Sequence, residues 1–340
     1  IVASILGVAM FLSVTSKHAV NCAEERVDTY LWELLAFSIP IFASTLIATL
    51  LLTYQSALMS RYASYSEIGY FQAARNLASL LTLLTLPIST SLFPTFSRIR
   101  DPRGASGAVD IAITMTAILL APVALFIVVE AGDIVRIFYG ASYSASSEFL
   151  AMYVLIYLYS LVGSIVWGSF FQGIGMPKIV AKSTLVYSAV YVPLAYFLAI
   201  SQSVKGIIIA MLTASLFPNL VFMYEGRKIG VKIDLAKKSK ILLSALAPAL
   251  IIVNNSLPVP HALARVILLG TVYVFLYVFF STLLGAVSMR EIELLKATLR
   301  VPGFLKTLVG FFLEVLERMV RLRERLCGNL FSGWGRPVPG

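Results

Sequence analysis

The residue best placed to do chemistry is Arg75, in the stretch Gly69-Tyr70-Phe71-Gln72-Ala73-Ala74-Arg75-Asn76, because it stands inside a long apolar run. In hydrocarbon a charged side chain costs several kcal/mol unless it faces a cavity or a partner, so such a charge marks a candidate site. Two readings are open. Arg75 lies about 12 Å beyond Glu67 at 1.5 Å per residue, near enough for its long side chain to reach the outer headgroups. Alternatively it lines a cavity, where its planar fork can donate two hydrogen bonds to a phosphate and stays protonated at any depth. A lipid pyrophosphate is the anion available there. Gln72 lies one turn before Arg75, and Gln55 and Tyr54 lie in the preceding apolar run. Such polar groups either bridge helices or contact a sugar.

Other chemistries find no ligand or acid–base set. Glu33, Glu67, Asp110, Glu130, Asp133 and Glu148 all fall near the ends of apolar runs, as does Glu225, so no mid-span carboxylate offers a proton or sodium site. His18 and His261 stand apart from Cys and from clustered carboxylates, so neither a metal nor a cofactor is expected. Cys22 and Cys327, the only cysteines, fall in segments assigned below to the cytoplasm, where a structural disulfide is not expected. The longest outer loop, about residues 131–145, carries Asp133, Arg136 and Tyr143 without a convergent acid–base pair, and no enzyme is expected.

The elements that position these residues are membrane helices. The chain is 59% hydrophobic and 13% charged, well above the apolar content of about 45–50% in soluble domains. Apolar runs occur at about residues 1–14, 34–59, 68–97, 108–130, 146–174, 179–200, 205–224, 239–257 and 263–286. Each is near the roughly 20 residues that cross a bilayer, except the first, which reads as the tail of a helix whose beginning is missing. The run at 239–257 is the weakest, ending at Asn254-Asn255 before Pro258 and Pro260. Half of the 14 prolines fall inside these runs, where kinks suit a rocking transporter and a packed scaffold alike.

Alternating the connecting segments between two sides places all but five of the 27 basic residues on one side, the exceptions being Arg61, Arg75, Arg136, Lys205 and Arg265. By the positive-inside rule that side is the cytoplasm, and it receives the C-terminus of a multi-pass protein of the cytoplasmic membrane. The net charge of +10 is accounted for by this topology, and no domain-sized basic face calls for nucleic acid. After Pro302-Gly303, residues 304–327 read as an amphipathic tail helix, with Leu308, Phe312, Val315, Met319, Leu322 and Leu326 on one face. Glu314 with Arg318 and Glu317 with Arg321 have the favourable i,i+4 order on the other. Such a helix lies on membrane headgroups or docks a partner.

Four short stretches, in this order, resemble a known family. Glu67-Ile68-Gly69-Tyr70-Phe71-Gln72-Ala73-Ala74 resembles the opening of the eighth helix of polysaccharide flippases, and Leu92-Phe93-Pro94-Thr95-Phe96-Ser97 resembles that helix's end. Ile137-Phe138-Tyr139-Gly140-Ala141-Ser142-Tyr143 and Gln172-Gly173-Ile174-Gly175-Met176-Pro177-Lys178 are similar to two later turns of the family. The resemblance covers about residues 34–230. It implies the multidrug/oligosaccharidyl-lipid/polysaccharide exporter fold: an all-α, polytopic helix bundle of two six-helix lobes, with two extra C-terminal helices in some members.

Under that resemblance residues 1–14 end a helix of a truncated first lobe and 15–33 form the inter-lobe loop. Residues 34–226 are the second lobe, 227–288 the two extra helices and 289–340 the amphipathic tail. The implied activity is movement of a polyprenyl-linked oligosaccharide across the membrane by alternating access, with membrane lipids and pathway glycosyltransferases or a polymerase as partners. Murein-lipid flippases of the superfamily carry an arginine in the eighth helix that is implicated in lipid pyrophosphate binding, and Arg75 falls at the matching place. The chain departs from many relatives in having Gln55 where they have an acid, which weakens cation coupling by analogy. A multidrug antiporter of the same fold, or a scaffold for glycan assembly, are the alternative readings.

Overall fold

The computed structural model describes residues 27–85, 102–254 and 261–287, together with Met10, Pro94, 96–98, Met289, 291–293, Gly310 and 314–321. Among the described residues there is no strand. Helix α1 spans Val27–Tyr62 and α2 spans Tyr65–Ser79. A 3-10 turn at Pro102–Ala105 leads into α3, Ser106–Tyr139. Then follow α4, Ser146–Val154, a 3-10 continuation Leu155–Val162, and α5, Val166–Gly173. Helix α6 runs over Pro177–Lys228, α7 over Leu235–Asn254 and α8 over Ala262–Leu283. The expected runs at 1–14 and at the end of 68–97 lie largely outside the described residues.

Helices α1, α3, α6 and α8 are each long and apolar enough to cross a membrane, and the pair Ser146–Val162 and Val166–Gly173, bent by 44°, passes the same test together, as a broken span or a re-entrant loop. The 52 residues of α6 would measure about 78 Å if straight, far more than about 30 Å of hydrocarbon. They fold back instead. Lys182 Nζ donates to Glu225 Oε1 at 2.6 Å although 43 residues separate them; a straight helix would hold them about 65 Å apart. The reversal is at Ser203, with φ 53° and ψ −129°, a conformation that a Cβ disfavours. Its hydroxyl is tied to the Tyr62 carbonyl at 3.2 Å and to Glu67 Oε2 at 3.3 Å. The expected spans 179–200 and 205–224 are thus the two arms of α6.

At this reversal the backbones touch. A Cβ on Gly206 would stand 2.0 Å from the carbonyl oxygen of Leu198, far inside van der Waals contact. Gly206→Val is therefore expected to cut the yield of monodisperse protein severely, as read by size-exclusion chromatography. A variant purified at wild-type yield and melting temperature would show that the arms can part without penalty.

The start of α2 is legible in sequence. Ser64 caps it, accepting from the Glu67 backbone N–H at 3.3 Å, while the Ser64 N–H donates to Glu67 Oε2 at 2.9 Å, a capping box that satisfies two otherwise orphaned donors. The Ser64 N–H, with the Ser64 hydroxyl beside it, donates to the Glu67 carboxylate and holds it below the usual carboxylate range.

Helix α3 is the hub. Its residues Ala112 to Ala121 are buried, with α4 and its 3-10 continuation, α7 and α8 packed around it. Tyr273 donates to the Ala245 carbonyl at 2.9 Å and Tyr277 to that of Ile118 at 3.3 Å, tying α8 to α7 and α3. A further cluster around Trp167 joins α5 to the second arm of α6, with Trp167 and Phe222 rings 6.5 Å apart and nearly parallel. Among the described residues, helix α1 packs mainly on α6 and is otherwise exposed.

Loops assigned to opposite sides of the membrane meet at opposite ends of the bundle. At one end Lys182 pairs with Glu225, the Lys232 N–H donates to Ser106 Oγ at 2.9 Å, and Lys237 pairs with Glu291 at 2.6 Å. At the other, Ser203 meets Tyr62, Lys205 pairs with Glu148 at 2.7 Å, and Arg265 Nε lies 3.3 Å from Asp133.

Two expectations change in detail. Helix α1 starts at Val27, inside the segment read as a loop to residue 33. Helix α3 continues through the expected loop to Tyr139, so that Glu130, at a kink, is buried within it and 3.8 Å from Arg265; the loop residues are apolar enough to extend the helix once Arg265 balances the acids. In the tail, among the described residues 314–321, Leu316 and Val320 are buried in one cluster with residues of α3 and Val278, with Val315 and Met319 partly covered, whereas Leu308, Phe312, Leu322 and Leu326 of the expected stripe lie outside the described residues. At this turn the tail meets protein. Of the two expected tail ion pairs, Glu317 with Arg321 is formed.

Candidate functional site

A cavity of about 560 Å³ opens among α1, α2, the α4–α5 bend and both arms of α6. Arg75 reaches it from α2 and Gln55 from α1. Its far walls carry Tyr153 of α4, Ser164 and Gly168 at the bend, and Thr184, Tyr187 and Tyr191 on the first arm of α6. Leu51, Met211 and Phe222 complete an apolar side. The volume falls in the range of small-molecule sites, roughly 300–1,000 Å³, with few polar groups set among apolar ones.

The elements around the cavity hold it open by packing and by hydrogen bonds to backbone carbonyls. Phe71 of α2 meets Tyr153 edge-on at 5.9 Å, and Tyr157 donates to the Ala78 carbonyl at 3.1 Å. These contacts press the face of α2 bearing Phe71, Ala74 and Ala78 onto α4. Arg75, on an exposed face of α2, is left at the rim, and among the described residues it makes no ion pair or hydrogen bond.

Of the expected site residues, Arg75 and Gln55 come together in the cavity; Gln72 and Tyr54 do not line it. Gln72 donates to Asn76 Oδ1 at 3.0 Å along the exposed face of α2. Tyr54 donates to the Val192 carbonyl at 2.9 Å and so serves as a bridge between α1 and α6. Sequence reading missed the tyrosines. Their signal was the i,i+4 spacing of Tyr187 and Tyr191, which sets both on one face of a helix.

Outside this cavity one buried charge stands out. Lys238 is 3% exposed; its Nζ is paired with Asp110 and donates to Thr114 Oγ1 at 2.8 Å, joining α7 to α3. Among the described residues no group of His, Cys, Asp and Glu could hold a metal ion.

Comparison with known proteins gives three findings. Residues 1–148 match the family described as polysaccharide biosynthesis protein. Over 191 residues the chain is 22% identical to a Shigella flexneri protein whose name assigns it, provisionally, to O-antigen transport; the match covers 54% of this chain and 46% of that protein. The solved structure of the lipid II flippase MurJ, in an inward closed conformation, superposes with a TM-score of 0.64 at 17% identity, covering 81% of this chain and 59% of that one. The chain thus spans about half the length of the curated relative it matches. Over the matched part the fold is that of this solved structure, an all-helical membrane bundle, and residues 1–148 match the polysaccharide biosynthesis family.

Proposed function

We propose that the protein moves a polyprenyl phosphate- or diphosphate-linked oligosaccharide from the cytoplasmic to the outer leaflet by alternating access, with this chain supplying the second lobe, residues 34–226. The observation that carries the reading is the Arg75 guanidinium, unpaired among the described residues, at a cavity that also carries hydroxyl and amide groups. An anion at Arg75 and sugar hydroxyls deeper in would satisfy both. The lipid tail need not enter; it stays in the bilayer beside the exposed α1. The end carrying residues 227–240 is placed in the cytoplasm, with the C-terminus. Pathway glycosyltransferases or a polymerase would hand over and receive the substrate.

A multidrug antiporter of the same fold would handle amphipathic cations, which an unpaired arginine repels. A scaffold would need a free tail to dock transferases, whereas Leu316 and Val320 are buried against the bundle.

Binding tests the reading directly. A fluorescent polyprenyl diphosphate is expected to raise the melting temperature of the full-length protein in detergent, and a cationic amphiphile of equal chain length is not. Stabilisation by the cation alone would move the assignment to the drug antiporters.

A further inference from the structure

The tyrosines inside the bundle divide into two sets. Tyr54, Tyr157, Tyr159, Tyr273 and Tyr277 each donate to a backbone carbonyl, at distances of 2.8–3.3 Å. Tyr153, Tyr187 and Tyr191 have no hydrogen-bond partner among the described residues. Those three are the ones that line the cavity. Tyr191 is 2% exposed, and its hydroxyl is buried without a partner. An unpaired phenol in a low-dielectric interior is destabilising. A buried polar atom left open beside a cavity is completed by whatever fills the cavity.

The rings are also fixed in place. Tyr187 and Tyr191 are stacked, with centroids 5.3 Å apart and planes 8° from parallel, and Tyr54 meets Tyr191 edge-on at 6.5 Å. Tyr153 approaches from the opposite wall, within electrostatic reach of Arg75. Rigid aromatic faces with free phenols beside a cation suit a ring rich in hydroxyls that carries a phosphate.

We propose that Tyr153, Tyr187 and Tyr191 form a subsite for the pyranose attached directly to the lipid phosphate, reading its hydroxyls while Arg75 holds the phosphate. This inference rests on the flippase reading and adds to it a residue set that selects the sugar. The alternative occupant is water alone, which would complete the same phenols without selecting anything.

Transport by the full-length protein in proteoliposomes separates these cases, using two fluorescent probes: a polyprenyl diphosphate bearing one pyranose, and the bare polyprenyl diphosphate. Tyr187→Phe and Tyr191→Phe keep the rings and remove the hydroxyls. Each is expected to raise the half-saturating concentration of the glycosylated probe about five- to tenfold and to leave the bare probe unchanged. Because the lost hydroxyls have no protein partner, melting temperature should not fall. Tyr273→Phe, which removes a hydroxyl bonded to Ala245, should lower it and leave half-saturation as in wild type. Unchanged half-saturation for the glycosylated probe in both cavity variants would mean water only and reject the subsite. Equal weakening of both probes would reject sugar reading as well. A wild-type protein that moves neither probe would overturn the flippase reading itself, and the subsite with it.

Discussion

Arg75→Ala is expected to slow transbilayer movement of a lipid-linked oligosaccharide about a hundredfold, with Arg75→Lys in between. Arginine can give a phosphate two charge-assisted hydrogen bonds in a fixed fork, each worth about 1.5–3 kcal/mol. Loss of one to two such bonds without replacement corresponds to about a hundredfold at 1.4 kcal/mol per factor of ten. Lysine restores the charge as a single point without the fork, so it restores part of the rate. Folding is not expected to suffer, because Arg75 is exposed and unpaired among the described residues. Fluorescence quenching of a labelled glycolipid in proteoliposomes measures the rate. A variant that flips at the wild-type rate would return Arg75 to the snorkelling reading.

Lys238→Met is expected to destabilise the protein by about 3 kcal/mol, at the low end of the range for breaking a buried pair because Asp110 is partly exposed. Lys238 is nearly fully buried, and its ammonium joins α7 to the central helix through Asp110 and Thr114. Removing it leaves the Asp110 carboxylate, near the start of α3, without its counter-charge and with the Asp234 N–H as its remaining donor among the described residues. The double variant Lys238→Met with Asp110→Leu should recover most of the loss, since a well-packed apolar pair replaces a buried ion pair at little net change. Thermal unfolding in detergent compares the three proteins. A single variant as stable as wild type would show that the pair contributes nothing to seating α7.

The membrane spans were legible because their signal is collective: a run of about 20 apolar residues and a bias of Lys and Arg persist whatever the packing. The weak run at 239–257 is a helix, α7, Leu235–Asn254, but it is not among the helices long and apolar enough to cross a membrane. The reversal within 177–228 also follows from length alone, and Ser203 executes it through a backbone conformation that no residue type there announces. Arg75 was legible as a charge out of place, and Gln55 as a polar group in an apolar run. Their meeting in one cavity was not, since it depends on how α1 and α2 are rotated against α6.

Gln72 shows the same limit from the other direction. Its position one turn from Arg75 suggested a shared site, but the face of α2 that packs on α4 is fixed by Phe71, Ala74 and Ala78, and Gln72 is left bonding Asn76. A hydrophobic stripe gives the periodicity of a helix, and the neighbour decides which of its edges is covered.

The central claim is that the transported molecule is an anionic glycolipid. It is tested most directly by offering proteoliposomes of the wild-type full-length protein a fluorescent lipid-linked oligosaccharide and a cationic dye in parallel. The account predicts that the glycolipid changes leaflets at a rate well above protein-free vesicles while the dye gradient is unaffected. Dye movement with the glycolipid held in its original leaflet would contradict it.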